Sequence, residues 1–201
     1  KYTGAEATAD GHYSGLNKIT YKIYTTDTTA VEEGILFDLA GSTTGAVFDA
    51  DKLASSWNGR ITIDSSKFNS NNVIVEVTAT DNAGNTRTTT TETGDIKIDI
   101  TAPTIDVSYD NNDADSGSYF KANRTATIVV TERNFNPDDV KVTITNTDGV
   151  IPALSGWTKT NGTGNEDDTR WTATIYYSAD GDYTFDITYT DLAENVCSGA
   201  Q

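Results

Sequence analysis

Apolar and polar residues alternate along most of this chain. Ile19, Tyr21 and Ile23 face one way between Thr20 and Lys22, which predicts a strand over residues 18–25. The same period of two predicts strands over 33–39, 61–64, 73–80 and 96–100. In the second half, Ile105, Val107 and Tyr109 alternate over 104–109, and Ala126, Ile128 and Val130 over 125–132. Val140, Val142 and Ile144 do so next, then Trp171, Ala173 and Ile175, then residues 183–190. Helical periodicity is nearly absent, with single turns expected at 49–56 and at Asn136-Pro137-Asp138-Asp139. Residues 1–15 are polar and glycine-rich and suggest a frayed edge or an unpartnered first strand.

Turn signals punctuate these strands. Asn58-Gly59, Asn69-Ser70-Asn71-Asn72 and the acidic stretch 110–117 are turns or loops. Ala179-Asp180-Gly181-Asp182 predicts a hairpin into the 183–190 strand. Short alternating strands, frequent turns and almost no helix are the pattern of an all-β sandwich.

One stretch occurs twice. Val75-Glu76-Val77-Thr78-Ala79-Thr80-Asp81-Asn82-Ala83-Gly84-Asn85 returns as Phe185-Asp186-Ile187-Thr188-Tyr189-Thr190-Asp191-Leu192-Ala193-Glu194-Asn195. The offset is 110 residues (185 minus 75), and Thr, Thr, Asp, Ala and Asn are kept in place. That spacing is the length of a small all-β domain, so two units are expected, 1–101 and 102–201. They join near Pro103, and the joint has no glycine or serine run to bend it.

Composition narrows the function classes. The chain has 201 residues and a formal charge of −16, so it repels phosphate backbones and anionic lipid. No nucleic-acid partner is expected, and no apolar run is long enough for membrane insertion. Threonine is abundant, which suits the wet face of a strand. Cys197 and His12 are the single cysteine and histidine, so there is neither an internal disulfide nor a Cys/His metal motif. His12 sits in Asp10-Gly11-His12-Tyr13 and Cys197 in a small polar tail, neither beside a nucleophile motif. The chain is therefore read as a monomeric, non-enzymatic segment of a longer protein.

The repeated turn, the junction Asp99-Ile100-Thr101-Ala102-Pro103-Thr104-Ile105, and the motifs Asn123-Arg124-Thr125-Ala126-Thr127-Ile128 and Glu132-Arg133-Asn134-Phe135 carry a resemblance, together with Asp180-Gly181-Asp182-Tyr183-Thr184-Phe185. Over most of residues 60–196 the chain resembles tandem bacterial immunoglobulin-like repeats of Gram-positive surface or secreted, adhesin-like proteins. The resemblance implies two tandem Ig-like β-sandwich domains acting as an extracellular stalk or spacer. Other domains of the parent protein would then bind a host or glycan ligand. Glu194 departs from the pattern, standing where the first copy has Gly84, which implies a looser or differently shaped second turn.

Three chemistries remain as candidates. A carbohydrate-binding or accessory module of a secreted glycoside-active enzyme would stack sugars on exposed tryptophans, for which Trp57 and Trp157 fall at loop edges while Trp171 alternates into the core. Tyr176 and Tyr177 are adjacent, so one of them faces outward. No cofactor is required, but calcium is the ion an acidic loop would take. Asp110, Asn112, Asp113 and Asp115 form one such loop, set against a plain solvated turn. Asp81, Asn85 and Asp99 form a second candidate, set against a turn in which Asp81 and Asn85 bond the backbone. A lysine–asparagine crosslink would need a lysine in the core, and Lys22, Lys97 and Lys141 alternate outward.

Overall fold

The computed structural model describes residues 16–38, 60–162 and 166–197. Two compact units divide the chain, Lys1–Asp99 and Ile100–Gln201. Among the described residues the fold is all-β: eleven strands pair antiparallel throughout, with a single-turn 3-10 helix at Pro137–Asp139. The helical turn expected at 49–56, the polar start 1–15, Trp57 and His12 lie outside the described residues.

Unit 1 is built around β3 (Ser70–Asp81). One edge of β3 pairs with β1 (Leu16–Thr25), which in turn pairs with β2 (Val31–Asp38). The other edge takes β4 (Thr86–Thr90) and β5 (Ile96–Ile98) one after the other. Between them the chain leaves the ladder in a turn where Gly94 adopts φ +88° and the Asp95 carboxylate accepts from the Glu92 N–H. Ile19, Ile23, Phe68 and Val73 are fully buried, as alternation requires of the inward positions. Each contributes about 1.5–3 kcal/mol relative to exposure.

The strand expected over 61–64 does not form. Ile61 and Ile63 pack on the core, but the Asp64 carboxylate accepts from both the N–H and the hydroxyl of Ser66, at 3.0 and 2.6 Å. That local capture closes a turn in which Lys67 N donates to Asp64 O, and it competes with ladder bonding.

Unit 2 holds two sheets. The larger runs β6 (Thr104–Tyr109), β7 (Arg124–Thr131), β10 (Arg170–Tyr177), β9 (Thr158–Asn161). The smaller pairs β8 (Lys141–Asn146) with β11 (Tyr183–Thr188). Their inner faces share one apolar cluster. Ile105, Ala126, Ile128, Val130 and Ile175 come from the larger sheet, and Ile187 and Tyr189 from the β11 side. Val142, Ile144 and Phe185 pack against it, so the two sheets face each other across a common core.

Two expectations are corrected in this unit. Residues 179–182 do not close a hairpin, because β7 pairs with β10 along its whole length and the other edge is taken by β9 at Arg170–Thr172 and by Leu154 and Ser155 at Thr174–Ile175. The chain crosses instead to the smaller sheet, where β11 pairs with β8. Asn146 holds the crossing, its amide donating to Val150 O (2.9 Å) and Asp180 O (3.1 Å). Gly181, at φ +131°, presses so closely that a Cβ would lie 1.8 Å from Asn146 Oδ1. Gly181→Ala is therefore expected to lower the stability of unit 2 by about 2 kcal/mol or more, read from urea unfolding. An unchanged midpoint would mean that Asn146 does not anchor the crossing. The second correction is β9, which alternation does not reveal because all four of its residues are exposed.

Candidate functional site

The repeated segment folds the same way twice. In unit 1, Asp81 Oδ1 accepts from the backbone N–H groups of Ala83 (2.9 Å) and Asn85 (2.8 Å). Its Oδ2 accepts from the Asn85 side-chain amide at 2.9 Å. Backbone bonds from Asp81 N to Asn85 O and from Gly84 N to Asp81 O close the turn. In unit 2, Asp191 makes the matching bonds to Ala193, Asn195 and the Asn195 amide, each at 2.8 Å, with the same two backbone closures. Glu194 takes φ +68° where Gly84 takes +87°. The second turn is thus neither looser nor differently shaped, because five bonds hold the glutamate in a conformation that glycine adopts without strain.

These bonds occupy both oxygens of Asp81 and the amide of Asn85, which is the capped-turn geometry. Asp99 lies elsewhere in unit 1. It follows β5, and Ile98 of β5 pairs with Ser70 at the opposite end of β3 from Asp81. Eleven residue steps along a strand separate those ends by about 36 Å. Asp81 and Asn85 do not converge with Asp99 on one ion.

The acidic loop of unit 2 is organised by a cation of its own. Arg124 donates from Nε to Asn111 O (2.6 Å) and from Nη2 to Asn112 Oδ1 (3.0 Å). Its guanidinium lies over the Tyr109 ring at 3.8 Å and the Phe120 ring at 4.2 Å. Asp110 accepts from Thr125 N, a bond that holds its carboxyl below the usual range. Asp113 N–H donates to Asn111 Oδ1, and Asp115 accepts from Lys121 N at 2.7 Å. The oxygens of Asp110, Asp113 and Asp115 do not gather within 4.8 Å of one another. Chain donors thus engage Asp110, Asn112 and Asp115, while the three carboxylates stay apart.

The aromatic residues are placed by packing. Phe135 is the hub: Trp157 meets it edge-on at 5.1 Å, Trp171 stacks at 5.2 Å and Tyr189 tilts against it at 5.4 Å. Trp157 is half-buried and packs on the core cluster. Trp57 lies outside the described residues. Tyr176 is exposed, and its hydroxyl accepts from Asn123 Nδ2; Tyr177 turns inward. Cys197 is a free thiol packed beside the core. Lys97 and Lys141 are exposed, and half-buried Lys22 sits over the Tyr24 ring at 5.5 Å.

Alternation left one polar group unnoticed. Glu132, just after β7, and Asp191 are both buried, and a carboxylate oxygen of one lies within 4.8 Å of the other's. Asn134 N donates to Glu132 Oε1 at 2.9 Å. Beside them, buried Arg133 forms an ion pair with Asp167, with Nε at 2.8 Å. The repeat marks Asp191 through Asp81, but no periodicity marks Glu132.

Tyr189 is also buried, and its hydroxyl accepts from Asn136 N at 3.0 Å. Burial pushes the hydroxyl up to about 12. The Glu132, Asp191 and Asp139 carboxylates add to the rise, and the Asn136 bond opposes it. Burial likewise raises Tyr177 to about 12. An unfolded tyrosine ionises near 10, so between about 10 and 12 the folded state holds the extra protons. Their stabilisation is complete below pH 10 and is lost as pH rises through 12. Melting temperature is expected to fall steeply across that window, with two tyrosines ionising late by phenolate absorbance. A flat profile would show that neither hydroxyl is shielded.

Comparison with protein-family models, curated proteins and solved structures finds no match for this chain. No helix among the described residues is long and apolar enough to cross a membrane.

Proposed function

We propose that the chain is a pair of Ig-like β-sandwich modules forming a non-catalytic spacer or stalk segment of an extracellular, adhesin-like bacterial surface protein. The observation that carries this reading is the duplicated Asp–Asn turn, five bonds repeated bond for bond. It points to one module used twice. The strand order of unit 2 supports an Ig-like arrangement. Four strands, β6-β7-β10-β9, face the pair β8 and β11. The polar groups fit a mechanical role, since the carboxylates of Asp81, Asp191 and Asp167 and the guanidinium of Arg124 are engaged in tying turns and loops. The carbohydrate-binding alternative loses Trp157 to the aromatic cluster.

Pulling the chain from its ends by single-molecule force spectroscopy tests the proposal. Two separate unfolding events are expected, each releasing roughly 300 Å of chain. Unfolding without a force peak would remove the stalk reading. Specific retention on a glycan array, abolished by Trp57→Ala, would replace it with the sugar-binding one.

A further inference from the structure

We infer that Asn161 is a site of spontaneous covalent modification, converting to aspartyl and isoaspartyl forms through a cyclic imide with Gly162. The reaction needs three things: a following residue without a side chain, a free backbone N–H as nucleophile, and an asparagine amide not held by other bonds. The structure supplies all three at this position.

Asn161 ends the exposed edge strand β9, and both Asn161 and Gly162 are exposed. Among the described residues the side-chain amide of Asn161 has no hydrogen-bond partner, and neither has the Gly162 N–H. The contrast with other asparagines is direct. The amides of Asn85 and Asn195 are locked onto Asp81 and Asp191, that of Asn146 onto two carbonyls, and that of Asn136 onto Asp139. None of these is followed by glycine.

In the reaction the Gly162 nitrogen gives up its proton to solvent base and attacks Asn161 Cγ, forming the N–Cγ bond. Ammonia leaves with a proton from water, and a five-membered imide remains. One water then opens the ring at either carbonyl, giving aspartate or isoaspartate. Proximity drives the ring closure, since nucleophile and electrophile belong to adjacent residues. The product adds a negative charge at the sheet edge. In the isoaspartyl form it also adds a methylene to the main chain where Asn161 pairs with Arg170. The end of β9 would then come off β10, next to the Thr160–Thr172 hydroxyl pair.

The test uses the whole chain, held for several days at mildly alkaline pH, digested with trypsin and read by mass spectrometry. Cleavage after Lys159 and Arg170 isolates residues 160–170. A gain of about 1 Da located by fragmentation at Asn161, and not at Asn165, is expected. Conversion in the folded chain should lie within about tenfold of the rate in the urea-unfolded chain, because the reacting amide and N–H are unbonded and only the last pair of an edge strand, Asn161 with Arg170, has to open. Asn161→Gln should abolish the gain while leaving the melting temperature unchanged. A folded chain that converts more than about tenfold slower than the unfolded one would overturn the inference. So would a gain located at Asn165 instead.

Discussion

Trp171→Ala is expected to lower the stability of unit 2 by about 3–5 kcal/mol, measured by urea unfolding, as large-to-small changes in a packed aromatic cluster do. The indole stacks on Phe135 at 5.2 Å, and Phe135 also carries Trp157 and Tyr189. Removing it leaves a void on the one ring that joins all three. Two neighbours decide how the loss divides. Ala173 and Ile175 lie on the same face of β10, 2% and 0% exposed, and cannot move to fill the space. Among the described residues the buried indole Nε1 has no hydrogen-bond partner, so Trp171→Phe removes an unsatisfied donor together with some volume. That variant should lose less than about 1.5 kcal/mol. Equal losses for both would mean the ring contributes through something other than packing. A loss below about 1 kcal/mol for the alanine variant would refute the inward phase assigned to β10.

Asp191→Ala is expected to destabilise unit 2 by about 3 kcal/mol, and Asp81→Ala to destabilise unit 1 by about 1–2 kcal/mol. The two aspartates make the same three side-chain bonds, so bond count alone would make the variants equal. Burial separates them. Asp191 is 5% exposed and its turn is part-buried, so the N–H groups of Ala193 and Asn195 lose their acceptor where water does not easily replace it. The Asp81 turn is exposed and water takes over. Glu194→Gly acts in the opposite direction. It relieves a left-handed glutamate and should raise stability by about 1 kcal/mol. If Asp81→Ala and Asp191→Ala prove equally damaging, the turns act by covalent-like local geometry and burial is irrelevant. If Glu194→Gly is neutral, the five bonds hold the glutamate at no energetic cost.

Most strands were legible where alternation reached the core, residues 61–64 being the exception because Ser66 captures the Asp64 carboxylate. Ile19 and Ile23, Ala126, Ile128 and Val130, Ala173 and Ile175 all point inward as their phase requires. The duplicated turn was legible too, because its bonds run between residues at most four apart and depend only on Asp, a small residue and Asn at fixed spacing. Asp110, Asn112, Asp113 and Asp115 look like cation ligands in a one-dimensional string. Arg124, 12 residues from Asn112, satisfies that loop instead. Trp157 follows a loop, where alternation assigns no direction, yet it meets Phe135 edge-on at 5.1 Å.

What the sequence determined by itself is local: which segments extend, which side chains share a face, and how the Asp–Asn turns close. Side-chain direction alternates along any strand whatever its partner, so these features need no long-range information. Tertiary structure decided the partners. Residues 178–182 carry the same turn chemistry whether they close a hairpin or cross between sheets. Only the occupation of both β10 edges and the Asn146 anchor selected the crossing. β9 exists because β10 had a free edge, not because of its own four exposed residues. The buried pair Glu132 and Asp191, separated by 59 positions (191 minus 132), meets only when the end of β7 and the turn after β11 are brought to the same end of the unit.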